Sequence, residues 1–328
     1  MEENSNVWKP TALLIGSGGA RGYMFLGATH RLFCEGYLEN VTKYTGVSIG
    51  AVICLLLAVG YTPREIWKEA KYLKSTDLVK VSSNVFKNLG LFTTDIIRGR
   101  LNNLIKQRYD TPLTFKDLYE KTGNELSVLA FDFVLKRGVV FSLENTPDVD
   151  VLDGICGSIS LPMMFEPFQD RYIDGAMHDP YPIYLLDKEG DRVLGLYIDD
   201  KVSEDAVSRI NAIITGNLDG KRNENIERSS DRCQHIRIHS SYLDTSGISL
   251  DTDKKVTLMA GGDTSAFLWI RDVLTRNEAQ RRVNQKLTFM KSVLNYNEML
   301  MEEGDVLEEN ERLEVVPHSK NYDNDFLN

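Results

Sequence analysis

Ser48 is the first residue of this chain with the surroundings of a nucleophile. It stands in Gly46-Val47-Ser48-Ile49-Gly50, and from Ile49 to Gly60 the chain is uncharged and mostly apolar. A G-x-S-x-G frame leading into an apolar run is the pattern of a nucleophile elbow: a strand, one sharply turned residue, then a buried helix. The turning residue is strained, and its neighbours must be small for the chain to fold back. Its hydroxyl then stands at a helix N-terminus, where backbone N–H groups and the helix dipole favour negative charge. A glycine-flanked serine opening an ordinary helix reads the same over five residues, so the frame needs partners.

Two other stretches offer them. Thr11 to Ile15 reads as a short apolar strand entering Gly16-Ser17-Gly18-Gly19-Ala20-Arg21-Gly22. A phosphate-cradling loop would continue into Lys-Ser or Lys-Thr, and a dinucleotide fingerprint needs a third glycine where Arg21 stands. The glycines could instead aim consecutive N–H groups at one point, as an oxyanion hole requires. A plain strand-to-helix turn is the alternative. The second stretch is Tyr172-Ile173-Asp174-Gly175-Ala176. An Asp ending a short strand can face a crevice at the carboxyl end of a sheet, although Asp-Gly is also a common hairpin turn. A serine hydroxyl needs an adjacent base. Asp174 could serve directly, or one of His30, His178, His235, His239 and His318 could complete a triad. Spacing leaves both open, with His178 the histidine nearest Asp174 in the chain.

The elements that would position these groups alternate. Strands are expected at Thr11 to Ile15, Val41 to Thr45, Leu126 to Leu135, Val139 to Leu143, Tyr172 to Asp174, Val193 to Ile198 and His235 to His239, with Arg137-Gly138 turning between the third and fourth. Helices are expected after Gly22, from Ile49 to Val59, after a Thr62 cap with Pro63 at the first position, and over Thr94 to Arg108, Pro112 to Thr122, Val149 to Ile159 and Asp263 to Leu294. Thr76 to Thr111 reads as a connector or a lid, and Asp205 to Asp231 as a polar helix and loop. The alternation predicts an α/β fold: a three-layer α/β/α domain with a central, mostly parallel sheet. The expected organisation is a polar extension over 1–10, one domain over 11–295, and an acidic tail over 296–328.

Composition narrows the function classes. The chain has 328 residues, 42% of them hydrophobic, which is enough to bury a large core. A formal net charge of −10 argues against a nucleic-acid partner. The acid is concentrated: Tyr296 to Asn328 holds ten Asp/Glu against two Lys/Arg. The four cysteines, Cys34, Cys54, Cys156 and Cys233, show no Cys-x-x-Cys spacing and read as reduced, buried thiols. The polar N-terminus is unlike a secretory signal, and the longest uncharged run is shorter than the roughly 20 residues that span a bilayer. The expectation is a cytoplasmic protein, peripheral where it meets membranes.

Ser-Gly-Gly-Ala-Arg-Gly (17–22), Gly-Val-Ser-Ile-Gly (46–50) and Asp-Gly-Ala (174–176), in that order, resemble the patatin-like phospholipase family. Ile159 to Pro167 resembles the Ser-x-x-x-Pro-x-x-Phe-x-Pro approach to the family's catalytic Asp, and Phe131-Asp132 resembles the strand before it. The likeness runs from about Thr11 to Ile183. Two positions depart from it: Ser17 replaces the first of three glycines, and Asp179 stands where the family often has Asn.

The resemblance implies a Ser–Asp dyad acting on lipid acyl esters. Ser48 would be the nucleophile and Asp174 the base, with oxyanion donors at Gly18, Gly19 and Arg21. Gly22, Gly46, Gly50, Gly175 and Ala176 would support the motifs. No metal or other cofactor is implied. The substrate would be a phospholipid or other acyl-ester lipid, met in transient contact with a membrane surface. A lipid transacylase on the same site, or a non-catalytic lipid-binding protein, are the alternatives. Oligomeric state is not legible.

Overall fold

In a computed structural model, residues 8–78, 80–82, 90–109, 112–200, 218–240 and 250–310 are described. The chain divides into two compact units. One spans Val7–Asp272 and holds both sheets and the candidate site; the other takes in the described chain from Val273 to Asn310.

The centre of the first unit follows from one short sequence. Ala-Leu-Leu-Ile makes β1 (Ala12–Ile15), and all four residues are buried. A strand apolar on both faces belongs inside a parallel sheet covered on both sides. β1 pairs in parallel with β2 (Lys43–Val47) and with β9 (Val193–Asp200). β10 (Cys233–Ser240) extends the sheet beyond β9, again in parallel. On the other side β2 pairs in parallel with β5 (Glu125–Asp132), which turns back antiparallel into β6 (Arg137–Ser142). The order is β10-β9-β1-β2-β5-β6, with β8 (Tyr172–Asp174) added antiparallel to β5. This is the expected α/β fold, a mostly parallel sheet flanked by helices.

Helices α1 (Gly22–Cys34) and α2 (Ile49–Ala58) follow β1 and β2 directly. Helix α3 (Pro63–Ala70) starts at a capping box: Thr62 Oγ1 accepts the Glu65 amide at 3.3 Å and Glu65 Oε2 accepts the Thr62 amide at 2.8 Å. Helices α4 (Asp95–Lys106), α5 (Phe115–Thr122) and α6 (Val151–Ile159) lie within a residue or three of their expected bounds. Helix α7 covers 218–228; the earlier part of the polar helix and loop expected from Asp205 lies outside the described residues.

Several expectations are corrected. The turn between β5 and β6 falls at 133–136, not at Arg137-Gly138. The Asp132 side chain accepts the amides of Val134 and Leu135 at 3.1 and 2.9 Å and so builds the turn in place of a glycine. The described part of Thr76 to Thr111 contains β3 (Lys80–Val81) and β4 (Gly90–Thr93), which with β7 (Met163–Phe165) form a second, three-stranded sheet. Helix α8 (Thr252–Asn310) starts earlier and ends later than expected. Gly261 and Gly262 depress helix propensity, but α1 comes so close here that a Cβ on Gly262 would overlap the Met24 carbonyl. Cys34 is exposed, unlike the other three thiols.

Candidate active site

The candidate site is centred where β2 turns into α2. Val47 ends β2, Ser48 follows with φ 56° and ψ −128°, and Ile49 opens α2. That backbone is rare and costly for a residue with a side chain, and it persists only where the surroundings hold it. Close packing does so here. A Cβ on Gly46 would overlap Ala51 backbone, and one on Gly50 would overlap the carbonyl oxygens of Ile15 and Gly16. The Ser48 amide donates to Ser158 Oγ at 2.9 Å, and the Ala51 amide closes the first turn on Ser48 O at 2.9 Å. Ser48 itself is half-buried.

Strand β5 brings the second group to it. Leu129 of β5 is in register with Val47, and the next residue, Ala130, with Asp174 of β8. The strands ending at the serine and at the aspartate thus lie end to end along one edge of β5. The Asp174 amide donates to Ser160 O at 2.9 Å. Its carboxylate is divided in use: Oδ1 accepts the Ala176 amide at 2.8 Å, and Oδ2 accepts Ser48 Oγ at 2.6 Å. Gly175 lies tight against β5, since a Cβ there would overlap Leu129 O. Burial raises the Asp174 pKa to about 6, against the lowering effect of the bonds from Ser48 and Ala176.

The glycine-rich loop lies against the first turn of α2, since a Cβ on Gly22 would run into the Ile49 side chain. The Gly16 and Ser17 amides donate to Leu196 O and Pro180 O, each at 3.0 Å. Among the described residues the amides of Gly18 and Gly19 donate to no protein acceptor. Arg21, expected as a third donor, turns its amide and its Nε onto Gly18 O, at 3.1 and 3.2 Å. It closes the loop that presents the two glycines.

No histidine among the described residues hydrogen-bonds to Ser48 or Asp174. The His178 ring stacks on Phe131, centroids 6.0 Å apart, and burial and Lys221 push its pKa down. His235 is wedged between Tyr181 Oη (2.9 Å) and Ser229 Oγ (3.0 Å), with its pKa pushed by burial to about 4. His30 lies near Cys34, His239 lies near Asp199, and His318 is outside the described residues. Asp179 is fully buried: it accepts the Tyr181 amide at 2.9 Å and the Asn225 amide group at 2.9–3.0 Å, with Lys221 Nζ at 3.8 Å. It ties the segment after Asp174 to α7.

Ser158 was not singled out in the sequence, although it heads the Ser-x-x-x-Pro frame that ends in Pro162.

Residues 13–187, more than half of the chain, match the family model for patatin-like phospholipase. The chain belongs to the patatin-like phospholipase family. It is 34% identical over 184 residues to the probable lipid hydrolase 463L of Invertebrate iridescent virus 6, covering 54% of this chain and 63% of that one. It is 28% identical over 194 residues to protein R571 of Acanthamoeba polyphaga mimivirus, covering 56% and 64%. The chain therefore spans less than two thirds of the length of either relative. Among solved structures, VipD from Legionella pneumophila is similar with a TM-score of 0.44 and 16% identity, over 78% of this chain and 67% of that one. Membership makes this patatin-like domain a candidate hydrolase of lipid esters.

Proposed function

We propose that this patatin-like protein is a lipid acyl hydrolase of the phospholipase A or lysophospholipase type, working through Ser48 and Asp174. The observation that carries the reading is the 2.6 Å contact from Ser48 Oγ to the buried Asp174 Oδ2, at the head of α2. Ser48 Oγ attacks the acyl carbonyl carbon as Asp174 takes its proton. The amides of Gly18 and Gly19 receive the oxyanion of the tetrahedral intermediate. Collapse breaks the ester bond, and Asp174 returns the proton to the departing alcohol. Water, deprotonated by Asp174, then attacks the acyl-serine and releases the fatty acid, and the proton passes back to Ser48.

Such substrates reside in bilayers or micelles, so the protein works in transient, peripheral contact with a lipid surface. Among the described residues no helix is long and apolar enough to cross a membrane.

The test is acyl-ester and phospholipid hydrolysis by wild type, Ser48→Ala, Asp174→Asn and His178→Ala. The first two variants should lose at least about 10³-fold in kcat, while His178→Ala stays within a few-fold of wild type. Full activity in Ser48→Ala ends the proposal, and loss in His178→Ala comparable to that in Asp174→Asn replaces the dyad with a triad.

A further inference from the structure

The turn between β5 and β6 is built against the usual chemistry of turns. Gly, Asn, Asp and Ser dominate such positions, yet here Phe133, Val134 and Leu135 follow one another and are 39%, 59% and 48% exposed. Nothing about the turn is loose. Asp132, fully buried beneath it, accepts the amides of Val134 and Leu135 on one carboxylate oxygen and Arg171 Nε at 2.7 Å on the other. The Phe133 amide is held by Arg171 O at 3.2 Å. Three large apolar side chains are therefore fixed in water by a structured clamp.

Their position relates to the dyad. Ala130 is in register with Asp174, and β5 continues from there into the turn. From Ala130 the strand runs two residues further, roughly 7 Å at strand rise, to Asp132, and the turn that carries Val134 follows at once. Ser48 lies at this same carboxyl end of β2, which runs parallel to β5. Leu161, next to the Ser160 that holds the Asp174 amide, and Met177, just after Asp174, are also exposed.

The charge around the turn is opposite to that of the whole chain. Lys136 and Arg137 follow Leu135, both exposed, in a protein of net charge −10. Neither forms an ion pair among the described residues. Residues 133–137 contain no acid; the nearest, Asp132, is neutralised by Arg171, and Asp170 lies across the adjoining turn. A second copy of the chain docking here would set basic residues against basic residues across a two-fold axis. An apolar tip with a cationic rim matches the boundary between acyl chains and anionic headgroups.

We propose that the β5–β6 turn seats the protein on anionic lipid surfaces, Phe133, Val134 and Leu135 entering the acyl boundary while Lys136 and Arg137 contact headgroup anions. This rests on the lipid-hydrolase reading, since it supplies the surface on which that chemistry would occur.

Binding is measured with the full chain carrying Ser48→Ala, so that vesicles stay intact. Vesicles of phosphatidylcholine are compared with vesicles that also contain phosphatidylserine. Replacing Phe133, Val134 and Leu135 together by serine should weaken binding to the mixed vesicles at least about tenfold. The double substitution Lys136→Glu, Arg137→Glu should weaken it about tenfold on mixed vesicles and little on phosphatidylcholine alone. In otherwise wild-type protein, the serine variant should hydrolyse a monomeric, water-soluble ester at the parent rate. A second reporter does not depend on a destabilising change: Phe133→Trp should show a blue-shifted difference emission on adding mixed vesicles, after subtracting the three native tryptophans.

Unchanged vesicle binding in the serine variant, or no emission shift in Phe133→Trp, overturns the proposal. So does a wild-type dimer that the serine variant abolishes, which would make the tip a protein interface. If the tip governs vesicle binding but wild type hydrolyses no ester, the docking surface stands and the hydrolase reading fails.

Discussion

In the proposed reaction Asp174 must act as a base from a place that disfavours its charge. With a pKa of about 6 in the folded protein, it is ionised at neutral pH but only narrowly. The rate on a soluble ester should therefore be flat above about pH 7 and fall as pH drops through about 6, approaching tenfold per unit below that. Stability runs the other way. In the unfolded chain the carboxyl titrates near its ordinary value of 3.8, so as pH rises from about 4 to about 6 the unfolded state ionises first and gains on the folded one. Above about pH 6 the full penalty is in force, on the order of 3 kcal/mol for a shift of this size. Asp174→Asn, whose Oδ1 can still accept the Ala176 amide, should be inactive yet melt several degrees above wild type at about pH 8. The gap should close below about pH 4. Thermal melts across that range check this, and equal melting temperatures at the alkaline end would mean that the site is solvated.

Between elements, the geometry depends on β5 and α6. The former sets the register of β2 and β8; the latter supplies Ser158, fully buried, to the Ser48 amide. Ser158→Ala leaves that amide without its acceptor beside a strained φ. The variant should lose about 1–3 kcal/mol of stability. It should also lose about tenfold or more in kcat with KM little changed, because the serine is present but less well placed. Stopped assays with the soluble ester, paired with denaturant titration, measure both; a loss confined to stability would make Ser158 a packing residue only. These parts differ in how they appear in the sequence. The elbow and the glycine loop are legible because close packing demands glycine: a Cβ on Gly46 or Gly50 would meet backbone, and one on Gly18 would meet the Phe25 ring. The pairing of β8 with β5 is not, since a three-residue strand carries no register of its own and takes it from a partner far away in the chain. The turn at 133–136 was misplaced for a related reason: Asp132 does with a side chain what Gly138 was expected to do with its backbone. The small sheet of β3, β4 and β7 escaped because its strands are two to four residues long, below any readable period.

At the level of the whole molecule, charge is distributed against the surface that the activity would need. Tyr296 to Asn328 holds ten acidic and two basic residues and so carries −8 of the total −10, leaving the rest of the chain nearly neutral. A headgroup layer rich in phosphatidylserine repels such a segment while attracting Lys136 and Arg137, and both effects decay over a Debye length of about 8 Å at physiological salt. Full-length protein should therefore bind anionic vesicles more weakly than a chain ending at Asn295, by several-fold at low ionic strength. The difference should vanish near 1 M salt, where the Debye length falls to about 3 Å. Every residue assigned to the chemistry lies between Gly18 and Asp174, so hydrolysis of a soluble ester should be the same in both chains. Equal vesicle affinity at low salt would instead mean that the acidic segment acts only as a solubilising surface. A fall in soluble-ester activity on truncation would show that residues beyond Asn295 are needed for more than the meeting with lipid.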